Sequence, residues 1–172
     1  MKWSDIQCSN RHYGELDENE KNVRGAFLYS IGIDLENLPE ELFEPCEMYS
    51  TKEKRFSSER EEKVCIWDIV GTTHSCYGGR TWMDAFIEEH KTLFHIIQGH
   101  VTRGKYFRMM KRPINQQTAC IRLIKSKNGK YYVGSNGNHR ITFYKIMYLA
   151  DLARGQATLK HYWLYAIVKN EL

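Results

Sequence analysis

The stretch from Thr118 to Leu152 constrains the fold more than any other part of the chain. TACIRLI, residues 118–124, is apolar and β-branched enough for a strand. Lys127-Asn128-Gly129-Lys130 carries Asn-Gly, a tight-hairpin signal, and Tyr131-Tyr132-Val133 returns as a second strand. The chain then reads VGSNGNHRITFYKI, residues 133–146. Two glycines, polar side chains, a histidine and an arginine crowd a short turn, and an apolar-periodic run follows at once. From Ile141 to Leu152 the spacing predicts a helix with Ile141, Tyr144, Ile146 or Tyr148, and Leu152 facing inward. Strand, hairpin, strand, glycine turn and helix succeed one another without a linker. That order predicts a mixed α and β fold with its most polar turn at a strand-to-helix junction.

Charge makes that junction more pointed. Residues 1–90 carry 10 basic and 19 acidic side chains, whereas residues 91–150 carry 12 basic ones and no Asp or Glu. The net charge of +4 hides this asymmetry. A sixty-residue window without a carboxylate predicts a positive surface, suited to nucleic acid, a nucleotide phosphate or an acidic protein. The acidic N-terminal part folded over the basic one would satisfy the same charge internally.

At the turn, Gly134 and Gly137 permit close approaches and backbone angles closed to other residues. A helix starting near Asn138 to Ile141 points unpaired N–H groups and a partial positive charge back at the turn. His139 and Arg140 add donors there, and the combination makes an anion site, with phosphate its commonest occupant. Gly and Asn also serve turn geometry alone, so a purely structural turn is the competing reading.

The rest of the chain frames this junction. Asp17 to Ile33 is predicted to be a helix with its acidic residues first. Pro39 to Phe43 reads as a short helix, and the charge run Thr51 to Lys63 as a solvated linker. This divides the chain into a helical N-terminal appendage, residues 1–60, and a main domain, residues 61–172. Val64 to Trp67 is expected to be the first strand, and Gly71 to Gly79 (GTTHSCYGG) a polar loop. Thr81-Trp82-Met83-Asp84 has the form of a capping box opening a helix that Gly99 would end. His161 to Val168 is the expected closing strand. No run of about 18 apolar residues predicts a membrane span, and the N-terminus lacks an apolar leader core, so a cytoplasmic location without membrane association is expected. Five cysteines, none at CxxC spacing, predict neither a disulfide framework nor a zinc site.

With these elements in place, GKYYVGSNGNHRITFYKI (Gly129–Ile146) resembles the signature segment of the ParB/sulfiredoxin superfamily. There a hairpin strand ends in a glycine-rich or acidic turn, a His-Arg or Arg-Arg pair follows, and then a helix. An Ile-x-Asp-Ile-like segment, Ile66-Trp67-Asp68-Ile69, also precedes the polar loop, and the likeness covers about residues 62–170. The resemblance implies a compact α+β domain, a small mixed sheet with flanking helices, that cradles the phosphates of a nucleotide or a nucleic-acid backbone. It implies Gly137, Asn138, His139 and Arg140 as phosphate ligands, with Thr72, Thr73, Arg80 and Thr81 completing the cradle. It allows a nuclease, NTPase or phosphotransferase, with Mg²⁺ and a nucleoside triphosphate as the implied cofactor, or a non-catalytic DNA- or nucleotide-binding regulator.

Two departures narrow this. Asn138 stands where a sulfiredoxin has its nucleophilic cysteine, and an amide forms no thiolate, which argues against that reductase activity. Asn136 stands where many ParB-like turns have an acid, so the turn offers no carboxylate to a metal.

In a catalytic reading His139 stabilises charge or donates a proton, and Asp68 is the candidate base, with His74 a further acid–base group. Arg103, Lys105, Arg108, Lys111 and Arg112 interleave with Tyr106 and Phe107, which suits nucleic acid; a solvated basic loop is the alternative. His90, His95 and His100 repeat every five residues and do not share a helix face, so no metal site is expected from them. A module that binds an acidic protein is the remaining function class.

Overall fold

The computed structural model describes residues 1–6, 18–88, 91–103, 111–157 and 161–172. Its elements are α1 (Glu18–Ser30), β1 (Pro45–Met48), β2 (Arg60–Cys65), β3 (Ile69–Thr72), β4 (Arg80–Thr81), α2 (Trp82–Glu88), α3 (Lys91–Arg103), β5 (Arg122–Lys125), β6 (Tyr131–Asn136), α4 (Asn138–Ala153) and β7 (Trp163–Asn170). The seven strands form one mixed sheet in the order β2-β7-β5-β6-β3-β1-β4. The expected mixed sheet with flanking helices is therefore present.

The hairpin forms where Asn-Gly predicts it. Gly129 donates to the Ser126 carbonyl and Ser126 to the Lys130 carbonyl, both at 2.9 Å, and Gly129 takes φ +84°. Asn128 keeps a negative φ, so the turn is a type I turn closed by a left-handed glycine. β6 then pairs antiparallel with β5 and parallel with β3, which is itself parallel to β1.

Three expectations need correction. The charge run does not stay a linker to Lys63: Arg60–Cys65 is a strand paired antiparallel with β7. It is an edge strand, and charged side chains there prevent further pairing. The helix opened by the capping box is described as two helices, α2 and α3, and Gly99 lies inside α3, whose apolar face is buried through Leu93, Ile96 and Ile97 ahead of the glycine. Leu152 is exposed, whereas Ile141, Tyr144, Ile146 and Leu149 are buried. Residues 1–60 contribute α1 and also β1, which sits inside the sheet between β3 and β4. Phe27 of α1 packs on Phe86 of α2 and Phe143 of α4 at ring separations of 5.8 and 5.0 Å, in the same core as the strands.

The sheet must curl. β2 and β3 are four places apart, about 19 Å in a flat sheet. Only residues 66–68 join them, and the four steps from Cys65 to Ile69 reach at most about 14 Å. Curling brings β2 toward β6: the Tyr131 hydroxyl donates to Glu62 at 2.9 Å. The helices cover one face. On the other, Trp163, Tyr165 and Ile167 of β7 are half-buried and alternate with the core residues Leu164, Ala166 and Val168. No helix among the described residues is long and apolar enough to cross a membrane.

Candidate functional site

The parallel strands β3 and β6 both end at the start of α4. Their last pairing is Thr72 with Val133. Gly137 caps the helix at φ +117°, in the region that disfavours side chains, and a Cβ there would meet Ile121 at 3.0 Å. Ile141 donates to the Gly137 carbonyl at 2.8 Å, closing the first turn. The preceding N–H groups of Asn138, His139 and Arg140 have no earlier carbonyl in the helix to bond. A 16-residue helix therefore presents its positive end at the carboxyl ends of two parallel strands, where open sheets commonly bind ligands.

Side chains from three segments converge there. Thr72 is fully buried, and its hydroxyl donates to Asn138 Oδ1 at 2.6 Å while accepting the His74 N–H at 3.0 Å. Accepting on Oδ1 makes the Asn138 NH₂ the donor side of that amide. The Thr73 hydroxyl lies 3.2 Å from the Val133 carbonyl, and the Thr73 N–H donates to the same carbonyl at 2.9 Å. His139 is held by Tyr77, whose hydroxyl lies 2.7 Å from Nδ1, and the two rings meet edge-on at 5.7 Å. Tyr77 also meets the exposed His74 ring edge-on at 5.4 Å, so three rings line up as His74, Tyr77 and His139.

Arg140, on the same first turn, reaches the segment before β5. It is partly buried, and its guanidinium donates to the Ala119 carbonyl. Among the described residues no carboxylate pairs with it. Burial pushes its pKa down, a sign that the charge has lost water without gaining a counter-ion.

The structure does not bring every expected residue to this cradle. Asp68 is exposed and precedes β3, so the length of that strand, about 13 Å, separates it from Thr72. Its charge is felt by Cys65, Lys145 and Tyr148 instead. A base role for Asp68 beside His139 is not supported. Thr81 is committed to the cap of α2: its hydroxyl accepts the Asp84 N–H at 3.0 Å, and Asp84 accepts the Thr81 N–H at 3.1 Å. That is the predicted capping box, formed. Arg80 lies on β4, the outermost strand, opposite Cys46. Lys105 and Arg108 lie outside the described residues, as does the side chain of Arg103. Lys111 and Arg112 precede the turn at 114–116, well along the chain from the cradle.

Among the described residues the cradle's groups are Asn, His, Thr, Tyr and Arg, with no carboxylate to hold Mg²⁺. No cluster of three or more His, Cys, Asp or Glu suited to a metal occurs among the described residues. Tyr77 is the participant that sequence reasoning missed. The available signal was that Tyr77 is the one aromatic in GTTHSCYGG, and it is buried. A scan against protein-family models, a search of curated proteins and a search of solved structures each return no match for this chain.

Proposed function

We propose that the turn from Gly137 to Arg140 binds a phosphate group of a nucleotide or nucleic acid, as the ParB-like resemblance implies. The observation that carries this reading is Arg140: a partly buried guanidinium with no carboxylate partner among the described residues, on the first turn of a long helix. An anion would receive the helix's N–H groups, Arg140 and the Asn138 amide together. Thr72 and Thr73 position the turn against β3, and Tyr77 orients His139. With Asp68 remote and no carboxylate at the turn among the described residues, a binding or regulatory role fits the donor set better than hydrolysis. Turnover is the second reading, favoured by the His139–Tyr77 contact, since a fixed imidazole can protonate a leaving oxygen.

Binding is tested by isothermal titration with pyrophosphate, ATP and CTP, each with and without Mg²⁺, on the wild type and Arg140→Ala. Binding that Arg140→Ala abolishes supports the cradle; no heat with any ligand, or equal affinity in the variant, overturns it. Phosphate release that His139→Ala removes would establish turnover.

A further inference from the structure

A second cationic cluster lies away from α4, on the face of the sheet that the helices leave uncovered. Trp163 and Tyr165 are successive outward residues of β7, with their rings edge-on at 5.5 Å. Lys63 of β2 pairs in register with Tyr165, and its ammonium sits 4.2 Å from the Trp163 ring centre. Lys111 approaches the same ring at 5.3 Å from the segment before β5. Burial and the nearby Lys63 charge both push the Lys111 pKa down, so the two lysines repel across one indole.

Neither lysine has a carboxylate partner among the described residues. The acids of β2 are already engaged. Glu61 accepts the Ile114 N–H at 3.2 Å, and Glu62 accepts from Tyr131 and pairs with Arg60 at 2.6 Å. Two unneutralised ammonium groups therefore flank two partly exposed aromatic rings. Further along β7, Arg122 and Lys169 are paired with Glu59 at 2.6 and 3.5 Å and stand outside this cluster.

We propose that this face binds single-stranded nucleic acid, with a base stacked on Trp163 and the adjoining phosphates taken by Lys63 and Lys111. Flat rings suit unpaired bases, since every base has a π-face and a paired base cannot leave its stack to use them. The lysines now resting on the indole would move to phosphates as a base takes the ring face, because base stacking is the stronger contact at an exposed ring. A protein partner with acidic side chains would use the lysines and leave the indole unused. The site is separate from the turn at α4.

The test is fluorescence anisotropy of the full chain with a labelled oligothymidylate of about twelve nucleotides, against a duplex of the same length. Trp163→Ala is expected to weaken single-strand binding about ten- to a hundred-fold. Lys63→Glu with Lys111→Glu is expected to lower the slope of log affinity on log salt by about 1.4, the loss of two single-strand phosphate contacts. Unchanged thermal midpoints in these surface variants separate lost binding from lost fold. Failure of the wild type to bind the oligomer at low salt overturns the proposal. So does tighter binding of the duplex, or a Trp163→Ala protein with wild-type affinity.

Discussion

Helix α4 carries two cations less than two turns apart, one fully and one partly buried, and they are treated in opposite ways. Lys145 is fully buried; its ammonium lies 3.5 Å from the Glu44 carboxylate and 3.4 Å from the Ile66 carbonyl, with Trp82 and Tyr148 rings 5.7 and 5.4 Å away. Arg140 is partly buried at the helix mouth and has a backbone carbonyl but no carboxylate among the described residues. The first has its countercharge within the chain, from a segment 101 residues away, and so is a structural ion pair. The second has none among the described residues. Burial lowers both pKa values, yet Glu44 raises that of Lys145 in partial compensation, while no carboxylate among the described residues does so for Arg140.

This contrast can be broken by substitution. The largest effect is expected from Lys145→Ala, which opens a cavity and strands Glu44: about 3–5 kcal/mol lost in denaturant unfolding. Lys145→Met, which fills the space without a charge, should lose far less or gain stability. A loss below about 1 kcal/mol in Lys145→Ala would remove the structural half of the comparison. Next comes Arg140→Ala. Its affinity for pyrophosphate should fall about ten- to a hundred-fold, the worth of a charge-assisted hydrogen bond, while stability without ligand changes by less than about 1 kcal/mol. An Arg140→Ala protein that unfolds as readily as Lys145→Ala would make both cations structural.

Smaller effects sharpen the picture of how the turn is held. Gly137→Ala should cost about 1–2 kcal/mol, from the left-handed backbone and the 3.0 Å approach to Ile121, and weaken phosphate binding in parallel. Thr81→Ala should cost about 1 kcal/mol through the α2 cap and leave phosphate affinity unchanged, since Thr81 serves the helix and not the cradle.

The smallest effect is one of pH. The folded pKa of Lys145 is lowered below the unfolded value of about 10.4. Between the two values the unfolded chain binds more protons, so this group makes stability rise with pH. Tyr144 and Tyr162 have raised pKa values and act in the reverse sense above about pH 10, so the rise is read below about pH 10. Lys145→Met should flatten it in thermal unfolding.

The local order around the turn was legible because each step depends on neighbouring residues. Asn-Gly closes the β5–β6 hairpin within four residues, Gly137 supplies the one backbone angle that lets β6 turn into α4, and Thr81 and Asp84 cap α2 three residues apart. The short strands were less legible. β1 and β4 have four and two residues and no alternation to detect, and β2 reads as a charge run because it is an edge. That α3 runs on through Gly99 likewise depends on packing against α1 and α4, which lie far off in the chain.

By itself the sequence determined a mixed α and β chain, its basic acid-free stretch, and a strand–glycine–helix junction carrying His139 and Arg140, because dihedral preferences, periodicity and charge are local properties. Only the tertiary structure decided which groups share that junction. Parallel pairing of β3 with β6 placed Thr72 beside Asn138, 66 residues away, and Tyr77 beside His139, 62 residues away. The same pairing left Asp68 at the far end of β3, and the packing of the segment before β1 gave Lys145 a carboxylate, Glu44. Those outcomes follow from which strands become neighbours in a curled sheet, and strand neighbourhood is a property of the whole chain's packing.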